Sequence, residues 1–143
     1  MVELFLMKLA NKGFTLIEVL ISAAIIVTIA SIAIPQVIRT KMTANESLAR
    51  STLKTISTAL ESYAGYSQQG TYPAAIADLV TPNPPFLSRN YIADSPIRGY
   101  NYTCDTLGAG GYDCSAAPEV CNQTGSKTYT VTTGCIFTEA DCS

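Results

Sequence analysis

An α+β architecture is predicted by three features of this chain. Val19 to Ile38 carries no charge, helix-spaced apolar residues continue from there to Tyr63, and alternating segments follow Gly99. One long helix is expected to pack its second half on a small C-terminal antiparallel sheet, because neither part buries its apolar face alone. The composition agrees. Of 143 residues only 14% are charged and 48% are hydrophobic, against roughly 25% charged in an ordinary soluble domain. So little charge points to a membrane phase or to burial by other subunits. The net charge of -2, with 9 Lys and Arg in total, gives no sign of a nucleic-acid partner.

Residues 1–13 read as a short leader, shorter still if translation starts at Met7. Its Lys8 and Lys12 favour retention on the cytoplasmic side. Arg39 and Lys41 flank the other end of the apolar run, so charge counting leaves orientation open. Phe14 to Ile34 makes a helix of about 31 Å at ~1.5 Å per residue, long enough to cross a bilayer core. A secretory signal peptide has an apolar core of only about 7–15 residues. The present run exceeds that and contains Glu18. A carboxylate at the mouth of an apolar helix is costly unless it meets a cation or stays near the headgroups.

Pro35 follows the apolar run with no turn residues around it. Ile38, Met42, Ala49, Leu53, Ile56, Leu60 and Tyr63 then continue at helical spacing. The spacing predicts a helix that kinks at Pro35, continues amphipathically over 38–64 and is bounded by Gly65 and Gly70. Glu46 and Arg50 stand four apart in the order that favours an ion pair. Residues 65–98 carry Pro73, Pro82, Pro84, Pro85 and Pro96 and read as an irregular connection with room for one helical turn near Ile76–Val80. In residues 99–143, alternation in Tyr100–Cys104, Gly111–Cys114 and Lys127–Thr132 predicts short antiparallel strands with turns at Gly108–Gly111 and Gly125. The eight tyrosines read as core packing and polar-tipped surface.

The five cysteines, Cys104, Cys114, Cys121, Cys135 and Cys142, all lie in that C-terminal part. Their clustering suggests disulfides made in an oxidising compartment. Zinc is disfavoured, since the spacings lack close ligand pairs and the chain has no His. No metal and no cofactor is expected. Two bridges among five cysteines can be drawn in fifteen ways. Cys104 with Cys114 across a glycine-rich hairpin is the first choice, with Cys121 joining Cys135 or Cys142. Without His, a nucleophile motif or paired carboxylates, the chain does not read as an enzyme. The triplets Asn45-Glu46-Ser47, Asn101-Tyr102-Thr103 and Asn122-Gln123-Thr124 fit the glycosylation pattern but are too common by chance to carry a function.

Lys12-Gly13-Phe14-Thr15-Leu16-Ile17-Glu18, followed by a long apolar helix interrupted at Pro35, resembles the class III signal of type IV pilins and type II secretion pseudopilins. The resemblance is close over residues 8 to about 64. Tyr72-Pro73, Tyr91-Ile92, Pro96 and Gly99-Tyr100-Asn101-Tyr102 are similar to the connecting loop and first strand of the pseudopilin-like group. The resemblance implies a pilin fold. It implies that prepilin peptidase cuts between Gly13 and Phe14 and methylates the new Phe14 amine. It further implies that Glu18 pairs with the N-terminal amine of a neighbouring subunit, and that the helix loosens near Ala33-Ile34-Pro35 in the filament. Phe14 and Glu18 are then assembly residues, and residues 14–37 form a helix that is first transmembrane and later filament core. The globular domain would be 38–143.

Departures from the family pattern separate the alternatives. Major pseudopilins commonly carry an Asp-Pro-Trp-Gly loop and an acidic calcium loop, whereas this chain has Ser95-Pro96-Ile97-Arg98, no Trp, and dispersed Asp105, Asp113 and Asp141. Calcium is disfavoured on that ligand count. The cysteine-rich end tilts the reading towards a type IV pilus subunit for attachment or motility, over a secretion or DNA-uptake pseudopilin. A membrane-anchored extracytoplasmic binding module is the alternative of another class. The partners implied are copies of the same chain, prepilin peptidase, inner-membrane assembly machinery and, before assembly, the membrane. The chain would sit in the inner membrane first and in an extracellular pilus, or a periplasmic pseudopilus, afterwards.

Overall fold

The computed structural model describes residues 13–67 and 69–143. The leader up to Lys12, with its two lysines and both candidate start sites, lies outside the described residues. A single α-helix, α1, runs from Leu16 to Tyr66 and passes through Pro35 without interruption. The chain divides into two compact units, Met1–Val37 and Ile38–Ser143, and each is described by itself.

In the first unit, α1 is apolar on every side. Ser22 and Thr28 donate their hydroxyls to the carbonyls of Glu18 and Ala24 one turn back, and Ser31 donates to the Thr28 carbonyl. That pattern lets polar side chains sit in an apolar helix without orphaned donors.

In the second unit, α1 lays Ala49, Leu53, Ile56, Leu60 and Ala64 into the core at helical spacing. Four strands face it: β1 (Tyr100–Gly108), β2 (Gly111–Pro118), β3 (Lys127–Thr132) and β4 (Ile136–Asp141). They form one antiparallel sheet in the order β1-β2-β3-β4. Alternation puts Tyr100, Tyr102, Tyr112, Cys114, Ala116, Tyr129 and Val131 inside. The connection from α1 to β1 holds a 3-10 helix, Ile76–Leu79, whose Ile76 and Leu79 close the core together with Leu87. The Leu79 carbonyl accepts the amides of Phe86 and Leu87, which folds the proline-rich loop back on that turn.

Three sequence expectations need correction. The C-terminal end of α1 is set by Ser67, whose hydroxyl oxygen accepts the Thr71 amide at 2.8 Å, while Gly65 lies inside the helix. The carboxylate of Glu46 goes to Ser126, not to Arg50, because the loop before β3 brings it two donors at 2.7 Å. A fourth strand, β4, was not expected. All but one of its residues are exposed, so it lacks the apolar alternation that betrays a half-buried strand; pairing with β3 makes it.

Candidate functional site

Residues Gly13, Phe14 and Thr15 precede the helix and are not helical. Among the described residues, nothing beyond its chain neighbours lies within 4 Å of the position a side chain would take at Gly13, and Phe14 is 79% exposed. Thr15 is the N-cap of α1. Its hydroxyl oxygen accepts the Glu18 amide at 3.3 Å, and its carbonyl accepts the amides of Glu18 and Val19 at 3.1 and 3.3 Å. Glu18 therefore stands in the first turn, where the free N–H groups of the helix favour a negative charge. Thr15-Leu16-Ile17-Glu18 has the Thr-x-x-Glu spacing of a helix start. That signal was readable in the sequence, and it gives Glu18 a local reason to be tolerated beside the reason proposed from the family resemblance.

Beyond this turn, Leu16, Ile17, Val19, Leu20, Ile21, Ile25, Ile26, Val27 and their successors to Ile38 are all roughly half exposed or more. None of the most apolar stretch is buried within the chain, and the helix is long and apolar enough to cross a membrane. Each such side chain gains about 1.5–3 kcal/mol on full burial. A surface of this kind is stable only in lipid or against other chains.

The C-terminal region is held by carboxylates from α1 and by disulfides. Glu61 accepts hydrogen bonds from the Tyr112 hydroxyl (2.9 Å), the Gly134 amide (2.8 Å) and the Tyr72 hydroxyl (3.1 Å). The Tyr112 hydroxyl also accepts the Cys135 amide at 3.2 Å. One helical carboxylate thus fixes the β3–β4 turn. Burial pushes the pKa of Tyr112 up, the nearby Glu61 adding to the effect, and burial raises that of Tyr100 likewise. Glu46 and Asn45 fix the next loop, Asn45 donating to the Thr124 carbonyl at 3.0 Å. Gly125 is buried there, and any side chain would strike the Tyr100 ring.

Cys104 is bonded to Cys114 across the β1–β2 ladder, and Cys121 to Cys142. Cys135 is a free, exposed thiol in the β3–β4 turn. Cys121 therefore takes the second of its two expected partners. Among the described residues, no group of three His, Cys, Asp or Glu side chains is placed to hold a metal ion. Asp105 and Asp113 lie along the β1–β2 hairpin and Asp141 at the end of β4.

The family described as "Prokaryotic N-terminal methylation motif" matches residues 8–34. The type IV major pilin protein PilA of Myxococcus xanthus (strain DK1622) is 35% identical over 111 residues, which is 78% of this chain and 40% of that protein. This chain therefore spans less than half the length of that relative. No solved structure matches.

Proposed function

This chain belongs to the type IV pilin family, and from that membership we propose that it is the structural subunit of a type IV pilus filament. Prepilin peptidase cuts between Gly13 and Phe14 and methylates the Phe14 amine. The mature chain waits in the inner membrane, held by its apolar helix. Assembly machinery then draws it into a filament through residues 14 to about 62, with the C-terminal sheet outside and Pro35 loosening the helix on the way. Repetition of one head-to-tail contact gives an open helical polymer.

The observation that carries this reading is the bare apolar surface of α1 from Leu16 to Ile38, with Phe14 exposed just ahead of it. Lipid covers it before assembly and neighbouring helices cover it afterwards. Glu18 then gains a partner in the α-amine of the next subunit, which offsets the cost of enclosing a carboxylate among apolar helices and sets the axial register. Similarity to a major pilin favours the pilus over a secretion pseudopilus. An attachment or motility role fits the same filament.

The test is an assembly assay on Glu18→Ala. Membrane levels of the variant are expected to equal those of the parent while filament yield by electron microscopy falls. Normal filaments from that variant, or a purified subunit whose N-terminal mass does not begin at methylated Phe14, would count against the reading.

A further inference from the structure

Resting on the filament reading above, we propose that the cavity between Tyr66 and the proline-rich loop receives Ile136 of a second copy of this chain. Lys54 of the receiving copy then meets Asp113 of the inserting copy.

The cavity measures 270 Å³ and is lined by Tyr66, Phe86 and the run Pro82, Asn83, Pro84 and Pro85. None of these side chains is charged. The walls are stiff. Phe86 packs edge-on against Tyr63 with ring centroids 5.5 Å apart, tilts against Tyr66 at 5.9 Å and donates its amide to the Leu79 carbonyl, while the prolines have fixed φ. Tyr66 is nonetheless 79% exposed. The volume lies just below the range of about 300–1,000 Å³ for small-molecule sites and suits one branched aliphatic side chain.

Ile136 is such a side chain. It is 61% exposed, more than any other Val, Leu or Ile of residues 38–143, and it opens the edge strand β4. Phe137 turns in to the core, so alternation turns Ile136 to the outer face. The register sets Ile136 opposite Thr132 and Thr132 opposite Asp113. Both of those residues alternate with buried neighbours and so share that outer face. Two strand spacings, about 10 Å, separate Ile136 from Asp113.

The charges are complementary. Phe86 also borders a groove along α1 that contains Lys54, and neither Lys54 nor Asp113 belongs to an ion pair among the described residues. The two surfaces do not meet within one chain. Glu61 holds the β3–β4 turn through the Gly134 amide, and Tyr66 lies five residues further on, about 140° round the helix. The cavity and Ile136 therefore lie on different flanks of α1. A knob and a socket on different sides of one molecule make a heterologous contact, which repeats into an open helical polymer.

Cross-linking tests the contact directly. Filaments of the full chain carrying Cys135→Ser, which removes the free thiol, together with Asn83→Cys and Ile136→Cys are oxidised and run without reductant. A ladder of linked subunits extending past the dimer is expected, and neither added cysteine alone should link. No ladder, Ile136→Cys linking to itself, or Asn83→Cys linking to a different protein overturns the proposal. Ile136→Ser is expected to weaken each contact about tenfold to a hundredfold, read as lost filament yield by electron microscopy with thermal unfolding of the subunit unmoved. Lys54→Glu should lower the yield as well, and Asp113→Lys added to it should restore it. Parent-like yield from Ile136→Ser overturns the proposal while the pilus reading stands, and a charge swap that restores nothing overturns the Lys54–Asp113 pairing. A parent chain that forms no filaments overturns the pilus reading and this contact with it.

Discussion

Replacing Glu61 with Ala is expected to be the most damaging single change on the polar side of the helix–sheet contact. Three donors lose their acceptor: the Tyr112 hydroxyl, the Tyr72 hydroxyl and the Gly134 amide. Their costs differ with burial. Gly134 is exposed and Tyr72 half-buried, so water replaces much of what they lose. Tyr112 is only 2% exposed, and its hydroxyl proton is left with the Cys135 sulfur at 3.8 Å as its remaining partner. A buried donor stranded in this way costs about 1–3 kcal/mol, and the two wetter bonds add about 0.5–1 kcal/mol each. The sum is about 2–5 kcal/mol. For a domain of this size that lowers Tm by roughly 10–20 °C. The assay is thermal unfolding of the mature chain in detergent, disulfides intact, followed by circular dichroism. The same reasoning predicts strong coupling. Tyr112→Phe added to Glu61→Ala should cost little more than Glu61→Ala alone, because the stranded hydroxyl is gone. A Glu61→Ala protein within about 0.5 kcal/mol of the parent, or strictly additive losses in the double variant, would refute the argument.

The remaining expectations concern the tyrosines, one glycine and the cysteines. Tyr102→Phe is expected to be neutral or slightly stabilising, since the buried Tyr102 hydroxyl makes no hydrogen bond among the described residues. Tyr100→Phe, which loses a 2.8 Å bond to the Lys127 carbonyl, should cost about 1–2 kcal/mol; denaturant titration compares the two. Burial raises the pKa of Tyr100, Tyr102, Tyr112 and Tyr129 in the folded state. Their contribution is complete below the unfolded tyrosine value of about 10 and is lost as pH rises beyond it, at about 1.4 kcal/mol per pH unit for each tyrosine. Alkaline unfolding of Cys135→Ser, with tyrosinate absorbance rising in step with loss of structure, checks that sign. Gly125→Ala drives a methyl group into the Tyr100 ring and should destabilise by about 1–3 kcal/mol in thermal unfolding. Without reductant, alkylation followed by peptide mapping should label Cys135 alone, since the other four cysteines are bridged.

Much of the first unit was legible in the sequence because its physics is local. A charge-free run of bilayer length and one glutamate at its mouth need no distant contact to be interpreted. The Thr15 cap is equally local, stated by Thr and Glu three apart, yet the sequence reading passed over it. The second half of α1 was readable for a similar reason: the residues predicted to face inward include Ala49, Leu53, Ile56 and Leu60, all fully buried. The sheet was readable where its alternation is strong, as in β2 and β3.

The sequence by itself determined the apolar anchor, the helical periodicity that continues from it and the location of the strands that carry buried tyrosines. These follow from the order of residues along one element. Tertiary structure alone decided what Glu46 and Glu61 do, how Cys121 is paired, and that Ile136–Asp141 is a strand. Glu61 and Gly134, Glu46 and Ser126, Cys121 and Cys142 are far apart in the chain and share no periodic mark. Their roles exist only once the sheet has folded onto the helix and brought donors to the carboxylates and one thiol to another. β4 is the same case in backbone form: its own side chains do not ask to be buried, and it is extended because β3 offers it a row of hydrogen bonds.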